Sequence, residues 1–156
     1  MAVILDGKEV ARKIRQNLKE EVSKLKEEGI SPKLAVIMVG DDSASKIYVK
    51  NKSIACNEIG IEYEEYLLNE ETTMDELLSL IDKLNNDKAI NGILLQSPIP
   101  KNLDINEAFK AIDPIKDVDG FNPMNVGKLC LGQDAFISCT PYGVIKILED
   151  YNIEIE

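Results

Sequence analysis

The chain has 156 residues, 44% hydrophobic and 29% charged, with 18 basic against 28 acidic side chains and a formal charge of −10. That is one domain's worth of sequence with enough apolar content for a proper core, and an acidic balance without any basic cluster argues against nucleic acid or an anionic membrane as partner. Histidine is absent, which excludes histidine-based catalysis and histidine metal ligation, and Cys56, Cys130 and Cys139 have no C-x-x-C spacing, so neither a zinc site nor a disulfide framework is indicated.

An odd cysteine count fits a reducing cytoplasm. The run MAVIL is too short for a signal peptide, and nothing in the sequence approaches a membrane span. Residues 7–29 predict a helix, with Val10, Ile14, Leu18, Val22 and Leu25 on one stripe and Gly29 at its end. Lys33–Val39 (KLAVIMV) is an unbroken apolar run, as in a strand buried on both faces. Asp41, Asp42 or Ser43 can cap the helix that follows, and Gly60 stops it.

That helix carries Ser45, Tyr48 and Lys52. At 3.6 residues per turn, Tyr48 and Lys52 lie roughly 40° apart, with Ser45 beside them. Ala44, Ile47, Asn51, Ile54 and Ala55 are the expected core-facing sector, which places Tyr48 and Lys52 at the margin of the buried face. Lys46, Lys50 and Ser53 take the far side. A partly desolvated ammonium loses basicity and can move protons near neutral pH, and a tyrosine one turn away offers a flat ring. Spacing alone leaves a second reading open, in which Lys52 snorkels and Tyr48 is boundary packing.

Ile61, Tyr63 and Leu67 predict a second strand nearer the sheet edge, since its alternate positions are rich in glutamate. Thr73-Met-Asp-Glu76 is a capping box opening a helix with Leu77, Leu78, Ile81 and Leu84. Gly92–Gln96 (GILLQ) is a further buried strand, halted by Ser97-Pro98-Ile99-Pro100; Asp104 caps a helix carrying Ala108, Phe109 and Ile112. The β-α alternation predicts an α/β fold, a three-layer sandwich of helices about a mostly parallel sheet. Ligands of such sheets bind beyond the carboxyl ends of the strands, where Gln96 emerges. Gln96 either satisfies the turn after it or reaches Lys52 with its amide oxygen.

Asp113–Gly127 (DPIKDVDGFNPMNVG) is dense in turn formers and carboxylates. An EF-hand register fails, because Ile115 and Val126 would occupy ligand positions. Asp119 before Gly120 can present its carboxylate bidentately to an amidine-like N–H pair, while Asp117 also reads as a turn and cap residue. Asn122-Pro123 and Thr140-Pro141 each predict an N-cap followed by a first-turn proline; the last helix carries Val144, Ile145 and Leu148, and NIEIE approaches a further strand.

The segments VGDDSASKIYVKNKSIACNEIGI, GILLQSPIP, INEAFKAIDPIKDVDGFNPMNVGKL and CTPYGVIKIL resemble, in order and spacing, methylenetetrahydrofolate dehydrogenase/methenyltetrahydrofolate cyclohydrolase. The resemblance implies NADP-dependent oxidation of 5,10-methylene-tetrahydrofolate to the methenyl form and its hydrolysis to 10-formyl-tetrahydrofolate, in one-carbon metabolism that feeds purine biosynthesis. It assigns catalytic roles to Lys52, Tyr48, Gln96 and Asp119, and substrate contacts to Ser45, Tyr48, Val49, Lys50, Asn51, Lys52, Leu95, Gln96, Ser97, Pro98 and Asp119. Tyr48 would stack on the folate rings, Gln96 tune the lysine, Asp119 grip the pterin, and Lys52 assist proton transfer and attack by water. It implies a cytoplasmic homodimer and no metal.

Two departures stand out. Gln96-Ser97-Pro98-Ile99-Pro100 replaces the usual Q-L-P-L-P, so Ser97 stands where the family has an apolar residue. The family also continues beyond the position of Glu156 into a Rossmann-type NADP domain and a returning C-terminal helix. Residues 1–140 are then expected to be a folate-binding catalytic domain and 141–156 a helix and linker toward that absent domain. No hydride transfer is expected of this chain alone, and VGDDSAS lacks the glycines of a dinucleotide loop. The rival readings are an inactive folate-binding domain, a Schiff-base enzyme using Lys52, and a short-chain dehydrogenase. For the last, residues 1–30 lack a Gly-rich loop and Ser45 is too close to Tyr48.

Overall fold

The computed structural model describes residues 3–154. Asp6 opens α1 (Gly7–Glu27) by accepting from the Lys8 and Glu9 amides, and β1 (Lys33–Val39) follows at the predicted bounds. The chain then alternates through α2 (Ser43–Ile59), β2 (Glu62–Leu68), α3 (Met74–Asn86), β3 (Gly92–Leu95) and α4 (Ile105–Ala111). Two further helices, α5 (Pro123–Cys130) and α6 (Cys139–Asp150), complete the described residues. The three strands form one parallel sheet in the order β2-β1-β3, so the fold is α/β with β2 at an edge.

The period of two along β1 divides the core. Ala35, Ile37 and Val39 point to one face, where Leu77, Ile81 and Leu84 of α3, Ala108 of α4, and Ile93 and Leu95 of β3 pack on them. Val36 and Met38 point to the other, against Leu94 and Val49 of α2. The Thr73–Glu76 capping box is made in full, with the Thr73 hydroxyl accepting from the Glu76 amide and the Glu76 carboxylate accepting from the Thr73 amide. Adjacent strands β1 and β3 thus send their outgoing helices, α2 and α4, to opposite faces. Their carboxyl ends form the crevice where ligands of such sheets bind.

Three expectations are corrected. The sector of α2 formed by Ala44, Ile47, Asn51 and Ile54 is exposed, with Ile47 at 61%. The buried stripe is Ser45, Val49, Cys56 and Ile59, and the half-buried Lys52 falls on it. Two isoleucines outweigh smaller residues in any apolar count, but the core on this face is too narrow to take them. Second, α6 begins at Cys139 after Ser138, with Thr140 already inside the helix and no side-chain cap. That helix packs on α1, where Lys13 pairs with Asp150 at 2.9 Å. Third, Ile14 and Leu18 of α1 stay part-exposed in an open groove against α6, leaving Val10 and Val22 as the buried part of that stripe. Asn152–Glu154 form no strand; Ile155 and Glu156 lie outside the described residues. No helix among the described residues is long and apolar enough to cross a membrane.

Candidate active site

Lys52 leaves the buried stripe of α2 and ends in the crevice above β1 and β3, where its Nζ donates to Gln96 Oε1 at 2.8 Å. Gln96 continues β3 by donating its backbone N–H to Ile37 O, and its Nε2 donates to Ser97 O at 2.7 Å. The two readings of Gln96 are therefore one arrangement. Because the turn takes the amide's donor, only the oxygen is left to face the ammonium. The Ser97–Pro98 peptide is cis, and Ser97 and Pro98 are both exposed beside the crevice.

Burial lowers the basicity of Lys52; the charges of Asp119 and Cys139 oppose that shift without cancelling it. Asp119 moves the other way. Burial raises its carboxyl above the usual value, against the pull of Lys52 and a hydrogen bond from Cys139, while Asp117 pushes it further up. Each partner is thus biased toward its neutral form, as expected where desolvation exceeds pair attraction.

Cys139 is the member of this group that sequence reasoning missed. Its Sγ lies 3.6 Å from Val118 O, and burial followed by the charge of Asp119 raises its thiol. The signal that could have found it is Gly120. Its φ is +69°, and a Cβ there would stand 2.7 Å from Phe136 O and 3.0 Å from Ser138 N. Only glycine lets the chain before α6 pass so close behind Asp119, which brings Cys139 beside it.

The remaining candidates divide. Ser45 is 2% exposed on the same helical face as Lys52, and its Oγ has no hydrogen-bond partner. Tyr48 is 61% exposed, with its ring free at the rim. Val49 and Leu95 spend their side chains in the two core clusters, because strand and helix geometry turns them inward. Lys50 and Asn51 are exposed. Lys50 lies nearly opposite Lys52 around the helix, lining a separate surface groove with Ser53 and Glu65, and does not converge on the site. Asp117 is a structural carboxylate, accepting from Asn122 N at 2.8 Å and Asn125 Nδ2 at 2.9 Å.

The turn after β1 does not fit a dinucleotide. At the start of α2, where a pyrophosphate would need free amides, Asp42 already takes the Ser45 amide and Asp41 adds a second carboxylate.

The fold and these side chains define an α/β protein with an amine-centred site at the switch point of a parallel sheet. Residues 5–119 match the tetrahydrofolate dehydrogenase/cyclohydrolase catalytic domain, and the chain belongs to that family. It is 51% identical to the bifunctional protein FolD of Agathobacter rectalis over all 156 residues, which are 56% of that protein. The crystal structure of the bifunctional FolD methylenetetrahydrofolate dehydrogenase/cyclohydrolase from Campylobacter jejuni is similar over 99% of this chain and 55% of its own, with TM-score 0.97 and 48% identity. The Trypanosoma brucei enzyme, complexed with NADP cofactor and inhibitor, is 32% identical with TM-score 0.94, over 99% of this chain and 53% of its own. The chain spans about half the length of these relatives.

Proposed function

We propose that residues 1–140 form the folate-binding catalytic half of a methylenetetrahydrofolate dehydrogenase/cyclohydrolase. In this reading α6 and the residues after it lead toward a separate NADP-binding half. The observation that carries the reading is Lys52, held at 2.8 Å by Gln96 and made less basic by burial beside Asp119. Among the described residues no ion pair closes between Lys52 and Asp119, although each feels the other's charge. In this reading the two groups flank a flat, polar-edged heterocycle. Asp119 would accept from the pterin amino group and ring N–H, and Tyr48 would cover the ring face.

In cyclohydrolysis the water oxygen attacks the methenyl carbon of 5,10-methenyl-tetrahydrofolate while Lys52 takes the water's proton. As the new hydroxyl gives up its proton, the bond from that carbon to N5 breaks, N5 keeps the electron pair and takes a proton back from the Lys52 ammonium, and the formyl group is left on N10. Gln96 keeps the amine aimed at the water, and the unpartnered Ser45 hydroxyl supplies a further polar contact on that wall. In the dehydrogenase step NADP supplies the hydride acceptor, and these residues only bind and orient the folate. The intact protein in this reading is a cytoplasmic homodimer serving purine biosynthesis.

Lys52→Met in the intact protein is expected to lower cyclohydrolase turnover by about 10²–10⁴, the usual weight of a positioned proton acceptor, with the melting temperature held. Undiminished turnover removes Lys52 from its role. The 156-residue chain alone is expected not to reduce NADP with methylene-tetrahydrofolate, followed by absorbance; reduction at the rate of a full-length relative contradicts the division of labour.

A further inference from the structure

Asp119 stands in the middle of a loop with few contacts of its own, yet its position decides how the site works. The loop starts where α4 ends. Asp113 turns it by accepting from Ile115 N, and the Lys116 ammonium donates to Leu84 O, Asn85 O and Asp87 O, fastening it to the end of α3. Ile93 N then donates to Lys116 O at 2.7 Å, and Asp117 forms a single parallel bridge with Ile93 on the open edge of β3. Val118 follows, filling the space above Gly92, where a Cβ would lie 2.5 Å from Val118 Cγ1. Asp117 points inward, and the turn at Val118 and Asp119 breaks the extended alternation, leaving Asp119 half-buried beside Lys52.

Asp117 is 2% exposed and carries a carboxylate where an apolar residue would be easier to bury. It spans the loop. Its Oδ2 accepts from the Asn122 backbone N–H at 2.8 Å and from Asn125 Nδ2 at 2.9 Å, on the far side of Asp119. Asn125 Nδ2 also donates to Pro114 O at 2.9 Å, and Asn122 donates to Ile112 O at 2.8 Å. Both ends of the Asp119 loop are thereby closed on one buried acceptor. Neither asparagine is more than 4% exposed, so water cannot replace these bonds.

We propose that Asp117 and Asn125 are a positioning pair for Asp119, fixing its carboxylate at the distance from Lys52 that the site requires. This deepens the reading of Asp119 as the pterin-gripping group and rests on it, but its principal test needs no folate. The groups facing Asp119 are Lys52 from α2, Cys139 from α6 and Asp117 from its own loop.

The experiment is a carbon-13 carboxyl titration of Asp119 in the free chain, read alongside the melting temperature, for Asn125→Ala, Asp117→Asn and the control Asn85→Ala. Asn85 braces the stem of the same loop, donating to Ala111 O at 2.8 Å and accepting from Asp113 N at 2.9 Å, but lies on the α3 side, away from Asp119. Asn125→Ala, which leaves the Asp117 charge in place, is expected to move the Asp119 midpoint down toward the ordinary 3.8 as the loop opens to water; Asp117→Asn moves it down as well, in part because it removes a carboxylate that raises Asp119, while Asn85→Ala lowers the melting temperature and leaves that midpoint in place. Should Asn125→Ala fail to fold, Asn125→Ser, which keeps a shorter donor, takes its place with the same expectation. If the Asn125 variant only loses thermal stability and the Asp119 midpoint stays put, Asp117 and Asn125 merely hold the fold and the proposal is overturned. A second arm measures affinity for 5-formyl-tetrahydrofolate, expected to weaken on the order of 10–100-fold in Asn125→Ala, as for an angstrom-scale misplacement of a binding group. If no variant and no parent chain binds it while the midpoint shifts as expected, the folate reading fails and the positioning pair stands.

Discussion

The two faces of the sheet are built on different terms. On the α3–α4 face, twelve buried hydrophobic residues form one cluster, and every buried position on α3 is aliphatic. On the α2 face the buried cluster is only Val36, Met38, Val49 and Leu94, and the helix that covers it gives two places on its inner stripe to Ser45 and Lys52. The first face stabilises the domain. The second gives up apolar burial to hold an amine and an unpartnered hydroxyl at a dry margin, as functional sites do when they depart from what packing alone would select.

That contrast is broken most directly by equal truncations on the two faces. Ile81→Ala, at a fully buried site between α3 and the sheet, is expected to cost about 2–5 kcal/mol in urea unfolding, the usual range for a buried aliphatic cut to Ala. Val49→Ala removes fewer atoms from a smaller cluster and is expected to cost clearly less. If Val49→Ala costs as much as Ile81→Ala, the α2 face is as much a core as the other and the comparison fails. Gly120→Ala comes next. It needs a positive φ from a residue with a Cβ and brings that Cβ to 2.7 Å from Phe136 O, so a loss of roughly 1–3 kcal/mol is expected from the conformational strain alone.

Charge sharpens the comparison further. The Asp119 carboxyl titrates above its unfolded value of 3.8, so the folded state holds its proton more tightly than the unfolded chain does. Stability lost to its ionisation is absent below 3.8, builds as pH rises from there through the folded value, and is complete above it. Asp119→Asn is therefore expected to melt higher than the parent chain at pH 7, with the gain shrinking as pH falls toward 3.8. Lys52 gives the mirror case, its penalty being present at neutral pH and fading as pH rises toward 10.5. A melting temperature for Asp119→Asn below that of the parent at pH 7 would show that the site is satisfied, not strained.

The α3–α4 face was legible in the sequence because pattern and packing agree there. The Thr73 capping box, the unbroken KLAVIMV and GILLQ runs and the Asp104 cap each have one local meaning, and the structure shows each of them. The edge position of β2 was readable from its glutamates for the same reason. On α2 the agreement ends: its helix and both caps follow from Asp42 and Gly60, but its orientation does not. Lys52 and Gln96 could be named, since one leaves a helix and the other a strand at the same end of a parallel sheet. Cys139 could not, because its place beside Asp119 depends on a close backbone passage at Gly120, nineteen residues away on the other side of α5.

The smallest expected effect is the most pointed test of that orientation. Apolar counting puts Ile47 and Ile54 in the core, whereas the structure leaves them 61% and 56% exposed. Ile47→Gln and Ile54→Gln in this chain are each expected to change stability by no more than about 0.5 kcal/mol, as exposed substitutions do. If apolar counting is right, each removes a buried branched side chain and leaves an amide without partners, and the loss reaches several kcal/mol. The two outcomes differ well beyond the error of denaturant unfolding. Near-silence at both positions, beside a measurable loss at Val49, fixes which side of α2 faces the sheet and with it the side from which Lys52 enters the crevice.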